Sequence, residues 1–472
     1  MQAHIVGREK EISALLGCYG SSESEFVAIY GRRRVGKTYL VKELFSHELT
    51  FLAEGILEEG HATQLQNFND ELANHGGVQP PAKDWLAAFN NLARLIEASP
   101  AEGKKVVFLD EVSSMCTANS GFLAALAHFW NRWASPRRDV LLIVCGSATS
   151  WIVKNIVGDK GGLHNRITRS ILLQPFTLRE CEDFYQRHNI RYTRYQIVEA
   201  YMVFGGIPYY MRLMRPQFSL QQNVDALYFE DGAPLRDEYE HLFRSLFTDA
   251  GRHVRIVEAL ATNGKGLMRK EIARQTGLPN SGRLTELLQE LIQCGFVREY
   301  LYFGQRKRDR LYQLIDPFSI FHLRFAAKQR AYTSDYWLHF STTPAHGAWS
   351  GFAFERVCLW HVPQIKHALG ISGVHTEVSA WRSRSADPGA QIDLVIDRAD
   401  SVINLCEAKY ASGAYGIDKT ESQRLREKRG AFMAETGTRK LAHITMITTF
   451  GLKRNAYAGE ILFQLTLDDL FG

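Results

Sequence analysis

The chain has 472 residues, too many for one hydrophobic core, and this predicts three or four domains. Hydrophobic residues make up 45% and charged residues 23%, which excludes a disordered or fibrous class. The net charge of +5 is small for this length, so it permits a nucleic-acid partner without requiring one.

Seven cysteines (Cys18, Cys116, Cys145, Cys181, Cys294, Cys358 and Cys406) have no CxxC spacing, which argues against zinc ribbons and disulfide frameworks and fits a reducing cytoplasm. The opening MQAHIVGREKEI turns charged before any apolar stretch of signal-peptide length, and no later segment offers ~18 uninterrupted apolar residues. The expectation is a soluble, non-exported, cytoplasmic protein with no membrane partner.

Along the chain, Ile12, Leu15 and Leu16 have the spacing of one face of a short helix over 8–17. FVAIYG then reads as a buried strand, and helical spacing resumes over 39–47. Two more apolar runs follow, VVFLDEV at 106–112 and VLLIVCGS at 140–147. Continuous apolar strands alternating with helices predict a parallel α/β sheet covered on both faces. From about residue 175 the pattern is helical, interrupted by a GGIP turn at 205–208. Residues 252–315 read as helix, RKEIARQTG, SGRLTELLQELIQCG and two short strands around FGQRKRD, the order of a helix-turn-helix with a β-wing. The last segment holds a helix-like stretch at 351–369 and two strands, QIDLVID at 391–397 and SVINLCEAK at 401–409, joined by a polar turn.

The most specific motif is Gly31-x4-Gly36-Lys37-Thr38, within GRRRVGKT. Its glycines let backbone amides of the loop, through Arg32, Arg33, Arg34 and Val35 and on to Tyr39, curl around phosphates. Lys37 reaches the terminal phosphates and the Thr38 hydroxyl ligates Mg²⁺. This predicts ATP and Mg²⁺ as cofactors. Phosphoryl transfer also needs a carboxylate near the metal and a group that positions water. Asp110 and Glu111, ending VVFLDE, supply both, although such a pair also serves as a surface or capping pair at a strand end. Ser147 reads either as a partner of the γ-phosphate or attacking water, or as a helix N-cap. Arg166 and Arg169 read either as groups that stabilise transition-state charge from the same or a neighbouring subunit, a neighbour implying a homo-oligomer, or as solvated arginines.

Near the C-terminus, alternation places Leu405, Glu407 and Lys409 on one strand face, with Asp393 on the preceding strand. Charges at such apolar strand positions are costly unless they pair or bind metal. One reading is a Mg²⁺ or Mn²⁺ site for phosphodiester cleavage, and the other a strand-edge salt bridge of Lys409. In the winged helix, 281–293 would present Arg283, Thr285 and Glu286. Its carboxylates Glu286 and Glu290 disfavour phosphate contact, whereas Arg306, Lys307, Arg308 and Arg310 of the wing favour it, the other reading being a regulatory or packing domain with a solvated basic hairpin.

Taken together, IVGREKEI, GRRRVGKT, FLDEV, the CGS strand end, LHNRIT and FGGIPYY resemble the archaeal-type P-loop ATPases of the STAND/AAA+ group over about residues 1–315. The resemblance implies that Gly7 and Arg8 lie near the adenine and that Pro208 reports nucleotide state to a lid. The usual LYGR motif is here LHNR, which puts the role of Arg166 in doubt. The C-terminal pattern resembles the PD-(D/E)xK nuclease superfamily, with Glu355 on a helix, Asp393 as metal ligand and Glu407-Ala-Lys409 on the following strand. That resemblance implies Glu355, Asp393 and Glu407 as metal ligands, and Asp393, Glu407 and Lys409 as catalytic. The expected architecture is a multidomain α/β protein. It comprises a P-loop parallel-sheet ATPase domain at 1–174, a helical lid at 175–250, a winged helix at 251–315 and an α/β restriction-endonuclease-like domain at 316–472. DNA is the expected partner of the last two.

Overall fold

The computed structural model describes residues 5–100, 103–158, 161–304, 310–329, 334–383 and 390–472. The chain divides into two compact units, Met1–Pro175 with His241–Ala250, and Phe176–Glu240 with Gly251–Gly472.

In the first unit, strands β1 (Glu25–Tyr30), β2 (Leu49–Glu54), β3 (Lys105–Asp110), β4 (Val140–Gly146) and β5 (Arg169–Leu172) form one sheet in the order β2-β3-β4-β1-β5. Every pairing is parallel. The three apolar runs of the sequence are the central strands β1, β3 and β4, and β4 is buried along its whole length. Strands buried on both faces read as continuous apolar runs because neither face meets water. The two edge strands escape that pattern: LTFLAE carries Thr and Glu, and the four residues of RSIL are mostly exposed. The sheet is covered in part by the helices His61–Asn74 and Trp85–Ala98, whose Phe68, Trp85 and Phe89 pack with Phe122 in an aromatic core. Asp84 caps the second of these helices by accepting from the Ala87 amide at 2.8 Å.

The second unit begins with helices whose N-termini are closed by capping boxes at Thr177/Glu180, Thr193/Gln196 and Ser219/Gln222. These helices pack with the C-terminal residues. The buried Asp225 carboxylate accepts from the Trp337 and Leu338 amides at 2.6 and 2.9 Å, capping the helix Tyr336–Phe340 from across the unit. Asp225→Ala would leave both amides unsatisfied, so a loss of about 2–4 kcal/mol in urea unfolding is expected. A loss below about 0.5 kcal/mol would mean that the contact is dispensable.

Helices Ala250–Thr262, Arg269–Thr276 and Gly282–Gln293 are followed by a small antiparallel sheet of β6 (Leu267–Met268), β7 (Val297–Tyr300) and β8 (Leu311–Leu314) in the order β6-β8-β7. The third sheet has the order β13-β12-β11-β10-β9, built from β9 (Thr376–Arg382), β10 (Gln391–Arg398), β11 (Val402–Lys409), β12 (Leu441–Thr448) and β13 (Phe463–Leu465). Strands β9, β10 and β11 pair antiparallel, and β11, β12 and β13 parallel. The helix expected over 351–369 is instead two helices, Pro344–Trp360 and Val362–Ala368. The break falls at His361, and Pro363 stands in the first turn of the second helix, where its missing N–H costs nothing. The buried His361 donates through Nδ1 to the Val357 carbonyl and accepts the Leu178 amide through Nε2 at 3.1 Å, and burial pushes its pKa down to about 4.

Candidate nucleotide and carboxylate sites

The loop between β1 and the helix Lys37–Leu44 closes over the C-terminal end of the parallel sheet, where open α/β sheets place their ligands. Gly31 has φ +146°, and a Cβ there would lie 2.3 Å from the Leu173 carbonyl oxygen, so no larger residue fits. Arg34 takes φ +71°, a left-handed conformation that a non-glycine residue adopts at some cost. Arg32 and Val35 are buried, Arg33 and Arg34 half-buried, and Tyr39 exposed. Gly7 and Arg8 also have positive φ, and the buried Arg8 donates through Nη2 to the Val35 carbonyl at 3.2 Å. The Gly-Arg pair is thus brought against the loop.

Lys37 is buried, and its Nζ donates to the Gly31 carbonyl at 2.9 Å, the Arg32 carbonyl at 3.0 Å and Ser147 Oγ at 3.1 Å. Ser147 Oγ in turn donates to Glu111 Oε1 at 2.6 Å, and the Ser147 amide donates to Glu111 Oε2 at 3.0 Å. Thr38 Oγ1 donates to Asp110 Oδ2 at 2.6 Å. Two short chains therefore join the loop to the ends of β3 and β4. Glu111 sits at φ +45°, strain held in place at the strand end. Ser147 is not a helix cap: the N-cap of the helix Thr149–Ile152 is Ala148, and the serine hydroxyl is committed to Lys37 and Glu111.

Glu54, at the end of β2 opposite Asp110, escaped the sequence reading because its strand did. Its carboxyl is pushed up by burial and by Asp110, with Lys42 opposing. Arg166 is exposed in the segment before β5. Arg169 pairs in register with Val27, near the start of β1, and lines a cavity with Lys10, Cys18 and Glu23. That is the opposite end of the sheet from Lys37, so Arg169 is not part of the loop's site within this unit. Pro208 lies in the second unit, at the start of the helix Pro208–Arg212. The glycines before it have a local reason: Gly206 has φ +66° and a Cβ there would lie 2.4 Å from the Phe176 carbonyl oxygen.

In the second unit, Glu355, Asp393, Glu407 and Lys409 line one cavity of about 1160 Å³. Glu355 is pushed up to about 7 by burial and then by Asp393, with Glu407 adding and Arg356 and Lys409 opposing. Glu407 behaves differently. Burial alone would raise its carboxyl, yet Lys428 and Lys409 hold it below the usual range, with Nζ atoms at 2.7 and 2.9 Å, and Arg424 adds a contact at 3.1 Å. Lys428 and Arg424 belong to the helix Lys419–Thr436, which is charged along most of its length, so no periodicity singled them out. As they stand, the three expected metal ligands do not form a centre: among the described residues no three His, Cys, Asp or Glu side chains group to hold a metal ion.

One wall of this cavity is the turn 263–265 of the helix-turn-helix segment. Arg356 ties that turn to the carboxylate helix, donating through Nη2 to the Gly264 carbonyl while Nη1 lies 3.5 Å from Glu355. Beyond β7 the chain joins the edge of the third sheet, where the Phe303 amide donates to the Ala380 carbonyl at 2.7 Å. On the helix Gly282–Gln293, Arg283 pairs with Glu286 at 2.9 Å and Glu290 at 3.8 Å, and Glu290 also accepts from the buried His253 at 2.6 Å. Its acidic character is thus largely neutralised locally. Arg306, Lys307 and Arg308 lie outside the described residues, and Arg310 is paired with Glu299. Among the described residues no helix is long and apolar enough to cross a membrane.

Residues 5–214 match the family described as an ATPase domain predominantly from Archaea, and residues 250–299 match the IclR helix-turn-helix domain. An uncharacterized protein of Methanocaldococcus jannaschii is 24% identical over 395 residues, covering 83% of each chain. The Walker-type ATPase of Pyrococcus abyssi superposes with a TM-score of 0.50 at 19% identity, over 69% of this chain and 97% of that one, a likeness of fold. The first unit has the parallel-sheet fold of a P-loop ATPase, residues 5–214 are similar to the archaeal ATPase domain, and residues 250–299 are similar to a helix-turn-helix domain.

Proposed function

We propose that this protein binds and hydrolyses ATP to act on DNA. Its parts are a P-loop domain at 1–174, a helical lid at 175–250, a winged helix at 251–315 and a restriction-endonuclease-like domain at 316–472. The observation that carries the reading is the pair of contacts linking Lys37 through Ser147 to Glu111, and Thr38 to Asp110. The loop amides cradle the nucleotide phosphates, and Lys37 stabilises charge on the transferring group. Glu111 takes the proton of the attacking water, held in orientation by Ser147. Thr38 and Asp110 offer hard oxygen donors side by side and would hold Mg²⁺, which neutralises phosphate charge. Gly7 and Arg8 flank the base, and Arg166 is a candidate to meet charge that develops on the phosphates. The helix-turn-helix match supports DNA as the partner.

For the C-terminal domain, the succession of Glu355 on a helix, Asp393 on β10 and Glu407 with Lys409 on β11, facing one cavity, supports the nuclease-like fold. A second reading, in which the domain binds nucleic acid without cleaving, is favoured by the clamp of Lys409, Lys428 and Arg424 on Glu407. The test incubates the protein with plasmid and single-stranded DNA and Mg²⁺ or Mn²⁺. Cutting that Asp393→Ala abolishes supports cleavage. Intact substrates, bound with an affinity that falls as salt rises, support the second reading.

A further inference from the structure

The carboxylate cavity has a feature that neither the ATPase nor the helix-turn-helix uses. Phe352 lines it and is 59% exposed. A single exposed phenylalanine is ordinary on a protein surface. This one stands one helical turn before Glu355, on the same face of the helix Pro344–Trp360, and so overlooks the carboxylates directly. Three exposed cations from other elements, Lys265, Arg324 and Lys328, line the same cavity. An aromatic face flanked by cations is how proteins hold unpaired nucleotides: the ring stacks a base and the cations neutralise the adjoining phosphates.

We propose that this cavity is a binding subsite for single-stranded nucleic acid, in which Phe352 stacks an unpaired base while Lys265, Arg324 and Lys328 hold the phosphates leading past Glu355 and Asp393. The inference rests on the reading that the C-terminal unit acts on nucleic acid, and it holds whether or not the strand is cut. Two observations favour a single strand over a duplex. The bases of a duplex are stacked on one another and present no free face to a side-chain ring. The carboxylate floor is also recessed, with Glu407 only 14% exposed, and Arg356 anchors the turn 263–265 as one wall beside it. A flexible strand follows such a channel, whereas a rigid cylinder bridges its rim.

The test is fluorescence anisotropy with the full chain, without divalent cations, using labelled oligo-dT, oligo-U and a duplex of equal length. Phe352→Ala is expected to weaken binding of the single strands roughly tenfold and of the duplex less than twofold. Phe352→Trp should retain affinity, and its added indole emission should be quenched when oligo-dT or oligo-U binds. The triple change of Lys265, Arg324 and Lys328 to alanine should make the salt slope for single strands shallower by about two. Tighter binding of oligo-dT or of oligo-U then assigns the strand as DNA or RNA. The subsite is overturned if Phe352→Ala leaves single-strand affinity unchanged or weakens duplex binding equally. If the wild-type chain binds none of the three probes, the underlying nucleic-acid reading fails, and the subsite with it.

Discussion

Lys37→Ala is expected to lower ATP turnover roughly a hundred- to a thousandfold, the usual cost of removing one preorganised donor from the site where charge develops. The side chain is buried, and all three of its hydrogen bonds end on groups of the same site: two loop carbonyls and Ser147. Its ammonium is therefore positioned before any substrate arrives, so little reorganisation is needed at the moment of reaction. The loop should keep its course in the variant, because Gly31 against Leu173 and Arg8 on the Val35 carbonyl are independent of the lysine. Phosphate release measured at saturating ATP and Mg²⁺, beside a thermal melt, separates loss of chemistry from loss of fold. Turnover equal to wild type in a folded variant would remove the loop from the reaction.

Glu111→Gln separates binding from chemistry. The amide oxygen can still accept from the Ser147 amide, as Glu111 does at 3.0 Å, and the amide NH2 can donate to Ser147 Oγ in place of the 2.6 Å contact, but the side chain can no longer take a proton. The expected result is a fall in turnover of about 10²–10⁴-fold, with nucleotide affinity within a few-fold of wild type. A variant that loses affinity and turnover together would make Glu111 a binding residue instead. On the proposed reading the two substitutions divide the site, the first removing the group on the phosphates and the second the group on the water.

The parts of these sites that lie close in sequence were legible there. GRRRVGKT carries its own conformational requirements, and the three central strands show as apolar runs because both of their faces are covered. The hairpin of β10 and β11 was legible too, since alternation fixes the shared face of Glu407 and Lys409, now seen as an ion pair at 2.9 Å. The break at His361 has one local sign in the chain, Pro363 in the first turn of the second helix. Apolar spacing nevertheless continues through the break, which is why the stretch reads as one helix.

The sequence by itself determined which residues could do chemistry: Lys37, Thr38, Asp110 and Glu111 by motif, and Asp393, Glu407 and Lys409 as charges in apolar strands. Only the tertiary structure decided which of them are wired together. Strand β4, though later in the chain, inserts between β1 and β3, and this alone sets Ser147 between Lys37 and Glu111 and ends its ambiguity as a helix cap. Likewise, Lys428 and Arg424 reach Glu407 only because the helix Lys419–Thr436 presents those two of its many charges to the cavity. Local sequence sets backbone preference and burial over a few residues. Strand order and helix rotation are set by contacts between segments far apart in the chain, and a single sequence carries no local signal of those.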